Sequence, residues 1–274
     1  MTTAHVRPTA GRLPTIGVLL AIAAISWVVT AQLMGSDDAA MGYELGALGF
    51  FIGTWTLMMA AMMFPSVWPT VIVFQRLQAA KRRRGEDAAS TGPALLLAGY
   101  LGAWTVAGLV GFAVVKAGGA LEISALSWDR GGPLLAGSVI VAAAVYQLTP
   151  LKDVCLRHCR GPYSFLLEHW RPGAVGAVRM GARHGLWCIG CCWMLMAALF
   201  ALGIMSIGWM AVIALFIAAE KLLPWRRVAT TLVTVALLVL GLAVALAPEQ
   251  VPGLMAPDAG MAGMSDSAHM DMAP

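Results

Sequence analysis

Long apolar segments constrain this chain more than any other feature of its sequence. A helix needs about 20 mostly apolar residues to cross a bilayer core of about 30 Å, and runs of that length recur along the whole chain. Only 12% of the residues are charged, about half of the roughly 25% found in soluble globular domains. These observations predict an all-α fold, a polytopic transmembrane helical bundle, and they exclude a soluble protein.

The apolar runs predict about seven membrane spans. The longest run is too long for one helix, and Gly203, Ser206 and Gly208 provide a turn that would fold it into a helical hairpin. Pro65 and Pro69 are expected to kink or end the second span. The runs cover residues 14–34, 46–74, 93–116, 133–148, 184–223 and 228–247.

The basic residues predict the orientation, because short loops rich in Lys and Arg stay on the cytoplasmic side. All of the 18 Lys and Arg residues except Lys116 and Arg130 fall before the first span or in alternate loops. The sequence therefore predicts a cytoplasmic amino terminus and an extracytoplasmic carboxyl terminus in a bacterial inner membrane. Residues 77–92 are expected to form a solvated loop, and residues 150–183 a cytoplasmic segment with an amphipathic helix on the membrane.

The predicted domain organisation is simple. Residues 1–13 form a cytoplasmic amino terminus and residues 14–247 a single transmembrane domain. Residues 248–274 are rich in Pro, Gly, Ala and Met, cannot bury a core, and are predicted to be a disordered extracytoplasmic tail. The tail is either a weak collector of copper ions or a Met-rich segment without a ligand. Its candidate ligands are Met255, Met261, Met264, His269, Met270 and Met272, interleaved with Asp258, Asp266 and Asp271.

Cysteine is the densest set of residues that could carry chemistry. Three cysteines lie within about one helical turn near the cytoplasmic end of the fifth span, and two more are spaced i, i+4 just past the fourth span. Because the predicted topology places both groups on the cytoplasmic side, they could meet in space and bind a soft metal such as Cu(I) or zinc, or an iron–sulfur cluster. The set is Cys155, Cys159, Cys188, Cys191 and Cys192, with His158 and His184 as imidazole ligands.

Two other interpretations of the cysteines stay open. Free cysteine also behaves as a small buried apolar residue that suits close helix packing in membranes. A pair of cysteines could instead pass electrons, as in disulfide oxidoreductases. The redox interpretation fits less well, because disulfides are rare in the reducing cytoplasm that these residues are predicted to face.

Methionine forms a second candidate set in the second span. Met58, Met59, Met62 and Met63 are spaced so that their thioethers form i, i+4 pairs on adjoining helix faces. Thioether sulfur is a soft, neutral ligand suited to Cu(I). The alternative is packing, since methionine is a flexible side chain that fills gaps in helical cores.

An ionisable pair ends the sixth predicted span. Glu220 is followed by Lys221, next to Pro224 and Trp225. A carboxylate at membrane depth is costly unless it is paired, so Glu220 is either a functional residue or one half of an interfacial pair with Lys221.

Several segments together resemble a bacterial family of predicted metal-binding integral membrane proteins, a domain of unknown function. They appear in the family's order and cover most of the chain from the second to the sixth span. They are residues 58–66 (MMAAMMFPS), residues 146–152 (YQLTPLK) running on to Cys155, Cys159, Arg160 and Pro162, and residues 185–193 (GLWCIGCCW) continuing through Met194 and Met196 to Glu220 and Lys221. The resemblance implies a helical membrane bundle and a metal-related function, without an established reaction.

The predicted function is therefore the binding of soft transition-metal ions, with copper as the expected metal and zinc or another soft metal as the alternative. The expected role is metal transport, delivery or homeostasis rather than catalysis. Expected partners are the lipid bilayer, a metal chaperone or metalloprotein, and a second copy of the chain, but not nucleic acid. A membrane thiol–disulfide oxidoreductase and a non-catalytic membrane assembly subunit are the alternatives.

Overall fold

A computed structural model describes residues 12–34, 47–85, 92–119, 132–202 and 206–251. These residues form nine α-helices and a short 3₁₀-helix (Pro248–Gln250), with no strand among them, so the predicted all-α class is confirmed. The helices are α1 (Arg12–Met34), α2 (Ala47–Arg82), α3 (Gly92–Gly119), α4 (Gly132–Gln147), α5 (Pro150–Arg160), α6 (Pro162–Glu168), α7 (Gly173–Leu202), α8 (Ile207–Leu222) and α9 (Arg226–Leu246).

Five helices (α1, α2, α3, α7 and α9) are long and apolar enough to cross a membrane. Helices α4 and α5 are bent by 67° relative to each other and form a sixth candidate as a pair. Helix α8 has 16 residues, fewer than the about 20 of a typical span. The chain thus has the helices of a membrane protein, while the count of about seven spans and their orientation stay predictions.

Helix α2 is the central helix of the bundle. In its membrane-length segment 72% of the residues are buried, compared with 22% in α1 and 28% in each of α3 and α9. The outer helices expose large apolar side chains such as Leu232 and Val239 of α9. Because the outward faces are apolar and the most enclosed helix carries the Met set, the bundle has the layering expected of a protein in a lipid environment.

Some predicted boundaries were correct and others were wrong. Helix α7 ends at Leu202 and α8 begins at Ile207, with the Ser206 hydroxyl accepting a hydrogen bond from the Trp209 backbone N–H, so the predicted helix break is confirmed. Helix α2 does not end at its two prolines but continues to Arg82. The predicted loop at 77–92 was therefore placed too early, because its first residues are still helical.

Helix α5 is the amphipathic helix expected between residues 150 and 183. Thr149 caps its amino terminus by accepting a hydrogen bond from the Lys152 backbone N–H, and Pro150 occupies its first turn. The helix packs against α7 and α8, with Cys155 and Leu156 buried, and its place on a membrane surface stays a prediction. The bend after α4 thus turns α5 back towards α7.

Glycines allow α3 and α7 to approach each other at backbone distance. A Cβ atom added at Gly99 would lie 2.1 Å from the Val178 carbonyl oxygen, and one added at Gly181 would lie 1.9 Å from the Leu96 carbonyl oxygen. Small residues at such contacts are the usual way in which membrane helices gain van der Waals packing. The α3–α7 interface therefore depends on glycine at these positions.

We expect the Gly99→Ala substitution to destabilise the bundle by about 1–3 kcal/mol, because the added methyl group meets immobile backbone. Gly102→Ala is the matched control on the same helix, where an added Cβ has no atom within 4 Å. The control should leave the protein unchanged or slightly more stable, since alanine favours helix over glycine. Thermal unfolding of the two purified variants in detergent measures the difference, and equal melting temperatures would contradict the packing described.

Candidate metal centre

Two helices bring three cysteines together. Cys159 lies in the last turn of α5, and Cys188 and Cys191 lie in the middle of α7. The Cys159 and Cys191 Sγ atoms are 3.8 Å apart. All three Sγ atoms lie within 4.8 Å of one another, and we call this group the cysteine triad. The meeting of the two cysteine groups that the topology predicted is therefore observed.

Local geometry explains why α7 can present several thiols at one place. Cys191 and Cys192 follow Cys188 by three and four residues, and their Sγ atoms lie 3.1 and 2.9 Å from the Cys188 carbonyl oxygen. Gly190 lies on the side of α7 that faces α5, where an added Cβ would be only 2.7 Å from the Cys155 Sγ atom. The absence of a side chain at Gly190 thus allows α5 to pack closely enough for its cysteines to reach α7.

Cys188 has the richest set of neighbours. Its Sγ atom lies 3.0 Å from the Tyr100 hydroxyl and 4.0 Å from the Met63 Sδ atom. The Lys221 ammonium lies 2.9 Å from the same Sγ atom. The Cys192 Sγ atom lies 3.9 Å from the Cys188 Sγ atom. Because the thiolate is the form of cysteine that binds metal, an ammonium in contact with Cys188 favours the ligand form of this side chain.

The donor set fits a soft metal ion. A thiolate–metal bond is about 2.3 Å long in zinc sites, so two ligand sulfurs on opposite sides of one ion are separated by at most about 4.6 Å. The sulfur separations within the triad, 3.8 Å for one pair and at most 4.8 Å for any pair, are of this size. Thiolate and thioether ligands select Cu(I) or zinc over hard cations. The triad can therefore hold a soft ion with little rearrangement.

The Met set lies beside the triad in the core of the bundle. Met58, Met59, Met62 and Met63 are all fully buried in α2. Met63 is the member that contacts the triad, through its sulfur and that of Cys188. Met58, Met59 and Met62 lie on the preceding turns of the same helix, and their role as ligands stays a prediction.

Neither predicted imidazole joins the cysteine triad. His184 is buried one turn before Cys188, its Nε2 atom lies 3.3 Å from the Thr70 hydroxyl, and its Nδ1 atom has no partner among the described residues. His158 stacks on the Trp187 ring with 4.1 Å between centroids. Cys155 and Cys192 are buried next to the triad but are not members of it. His269 lies outside the described residues, so the tail ligands stay predictions.

The expected pair between Glu220 and Lys221 is not what the structure shows. The Glu220 carboxylate instead accepts two hydrogen bonds from Lys152 of α5, of 2.7 and 2.6 Å, and both side chains are buried. Lys221 turns towards α2 and α7. Adjacent helical residues point about 100° apart, so the two neighbours serve different networks. Arg160 also donates to the Glu220 backbone carbonyl, which fixes the end of α8 against α5.

The sequence indicated the cysteines but not the polar groups around them. Tyr100 and Lys152 were not singled out as site residues, and Lys221 was considered only as a partner for Glu220. A polar side chain within or next to an apolar run, such as Tyr100 in the third span, is the signal that could have identified them.

A protein-family model matches most of the chain. Residues 52–244 match the family model PpoB2, described as copper chaperone. This range includes α2 from its second turn, the cysteine triad and nearly all of α9. No curated protein and no solved structure matches the chain. The match agrees with the predicted metal-binding family at the level of a copper-related family.

Proposed function

We propose, given that this chain belongs to the PpoB2 copper chaperone family, that it binds Cu(I) at the cysteine triad and delivers the ion to a metalloprotein. The observation that supports this function best is the convergence of three thiols from two helices beside a buried thioether. Thiolates bind Cu(I) tightly and can pass the ion to the thiolates of a partner protein. Delivery by ligand exchange requires no catalytic residue, in keeping with a role that is not enzymatic.

The predicted topology gives this function a direction. With about seven spans and a cytoplasmic amino terminus, the triad would lie towards the cytoplasmic side of a bacterial inner membrane, and the Met- and His-containing tail on the opposite side. The buried methionines of α2 would then lie between the tail and the triad. We propose that the tail collects copper, that these thioethers pass it along, and that the triad holds it for delivery.

A Cu(I) titration of detergent-purified protein, with and without the tail, tests this function. Val251 is buried, so the truncation is made after this residue. We expect tight Cu(I) binding to survive truncation, because the triad lies within the helical bundle. Loss of binding together with the tail would reduce the protein to a tethered collector. No binding in either form would overturn the proposal.

A thiol–disulfide oxidoreductase is the second candidate. It is favoured by the 3.8 Å between the Cys159 and Cys191 Sγ atoms, which are close enough to form a disulfide after a small movement. This function predicts a reversible Cys159–Cys191 disulfide at a defined potential. Mass spectrometry after thiol alkylation at a series of redox potentials would detect this disulfide. The copper function predicts instead that both thiols stay reduced while the protein binds and delivers copper.

A further inference from the structure

The Lys221 ammonium contacts sulfur rather than a carboxylate. Its Nζ atom lies 2.9 Å from the Cys188 Sγ atom, 3.9 Å from the Met63 Sδ atom and 3.4 Å from the Ser66 hydroxyl. Three helices, α2, α7 and α8, therefore meet around this one cation. Such a position in a helical bundle needs an explanation, because a cation partly withdrawn from water is stabilised by a compensating anion.

The neighbouring carboxylate does not provide that compensation. Both Glu220 oxygens are engaged by the Lys152 ammonium, and this pair is itself buried and neutral. Among the residues that the structure describes, the group in contact with Lys221 that can become an anion is the thiol of Cys188. Lys221 and Cys188 thus form a second, partly buried pair, separate from the first, and its sulfur member belongs to the triad.

Charge counting shows what this second pair does for a bound ion. Two thiolates and one Cu(I) together carry one negative charge, which is costly to bury in a low-dielectric interior. The ammonium of Lys221 cancels that charge. A bis-thiolate Cu(I) complex that includes Cys188 would therefore be electrically neutral together with Lys221.

The contacts of Lys221 are compatible with its staying in place when copper binds. The ammonium contacts Cys188 of α7 and also Met63 and Ser66 of α2. Cys191 of α7 instead contacts Cys159 of α5. Lys221 of α8 and Cys159 of α5 thus approach the α7 cysteines from different helices. A sulfur ligand can accept a hydrogen bond and bind a metal at the same time, as outer-shell donors do in other metal sites.

We propose that Lys221 is the charge-compensating positioning residue of the copper site, acting through Cys188 to stabilise a two-thiolate Cu(I) complex. The proposal rests on the proposed function, because it assigns a role to Lys221 only if the triad binds copper. It also indicates that the preferred occupant is a single monovalent ion held by two thiolates, one of them that of Cys188.

Competitive Cu(I) titration against a chromophoric chelator, on full-length protein in detergent, tests the role of Lys221. The Lys221→Gln variant removes the charge but keeps a polar group near Ser66, and we expect its Cu(I) affinity to fall by about 10- to 100-fold, as for other outer-shell partners. Lys221→Leu, which removes the charge without adding a sulfur ligand, should give the same loss. Lys221→Arg, which retains the charge, should restore most of the affinity, a rescue that a purely steric role would not produce.

Arg227→Met is the matched control, because it removes an exposed cation six residues along the chain from Lys221. We expect wild-type Cu(I) affinity for this control. Wild-type affinity in both neutral Lys221 variants would overturn the role of Lys221 and leave the copper function intact. Tighter binding in these variants would also overturn it and would make Lys221 a competitor of the metal. If the wild-type protein itself failed to bind Cu(I), the proposed function would fall instead.

Discussion

Cys159→Ser is expected to lower the affinity of the protein for Cu(I) by more than about 100-fold, the upper end of the loss caused by removing an outer-shell partner. Cys159 is the contribution of α5 to the triad, and its Sγ atom lies 3.8 Å from that of Cys191. Serine keeps the size and the hydrogen-bonding capacity of the side chain but replaces a soft ligand by a hard one. The loss should therefore report on ligation and not on packing.

The same helix provides a matched control for this prediction. Cys155 is buried one turn earlier in α5, but it is not a member of the triad. Cys155→Ser changes the same atom in the same helix, and we expect its Cu(I) affinity to stay close to that of the wild type. Chelator competition on the two variants measures both affinities. Equal losses, or a larger loss for Cys155→Ser, would show that the copper ligands have been misassigned.

Lys152→Met is expected to destabilise the folded protein by about 3–5 kcal/mol, the usual cost of leaving a buried charge without its partner. The Lys152 ammonium is bound to both carboxylate oxygens of Glu220, and the two side chains are 1% and 3% exposed. Without Lys152, Glu220 would have to take up a proton or draw water into the interface of α5 and α8. We expect poor yield and a lower melting temperature in detergent.

Two further variants separate this ion pair from general damage to α5. Replacing both members, Lys152→Met with Glu220→Leu, should recover much of the stability, because a buried ion pair is often replaceable by apolar side chains. Arg157→Met breaks an exposed i, i+4 pair with Asp153 in the same helix, for which we expect a change of at most about 0.5 kcal/mol. A double variant no more stable than Lys152→Met would contradict the paired role.

The sequence predicted the helical class and the meeting of the cysteines, because both depend on patterns along the chain. Apolar runs of membrane length indicate helices whatever their neighbours. Cys188 and Cys191 are spaced along α7, and Cys159 lies just past the preceding span. The alternation of predicted spans was enough to predict that all three cysteines lie on the same side. These are properties of single helices and of their order.

The polar groups around the triad could not be predicted in the same way, because their partners come from different helices. Whether Glu220 pairs with Lys221 or with Lys152 depends on the rotation of α8 relative to α5, which no local pattern encodes. The path of α2 through Pro65 and Pro69 was also uncertain from the sequence. A proline removes one helical hydrogen bond, yet α2 continues through both prolines.

The close contact between α3 and α7 also fixes the longitudinal register of the two helices. Gly99 immediately precedes Tyr100, and Gly181 and Gly185 lie on the same helix as Cys188, within two turns of it. Where two backbones touch, neither helix can slide along its axis without a collision, so the height of the Tyr100 hydroxyl relative to the Cys188 sulfur is set there. The alignment of a copper ligand with its hydrogen-bonding neighbour is thus specified by residues that have no side chain.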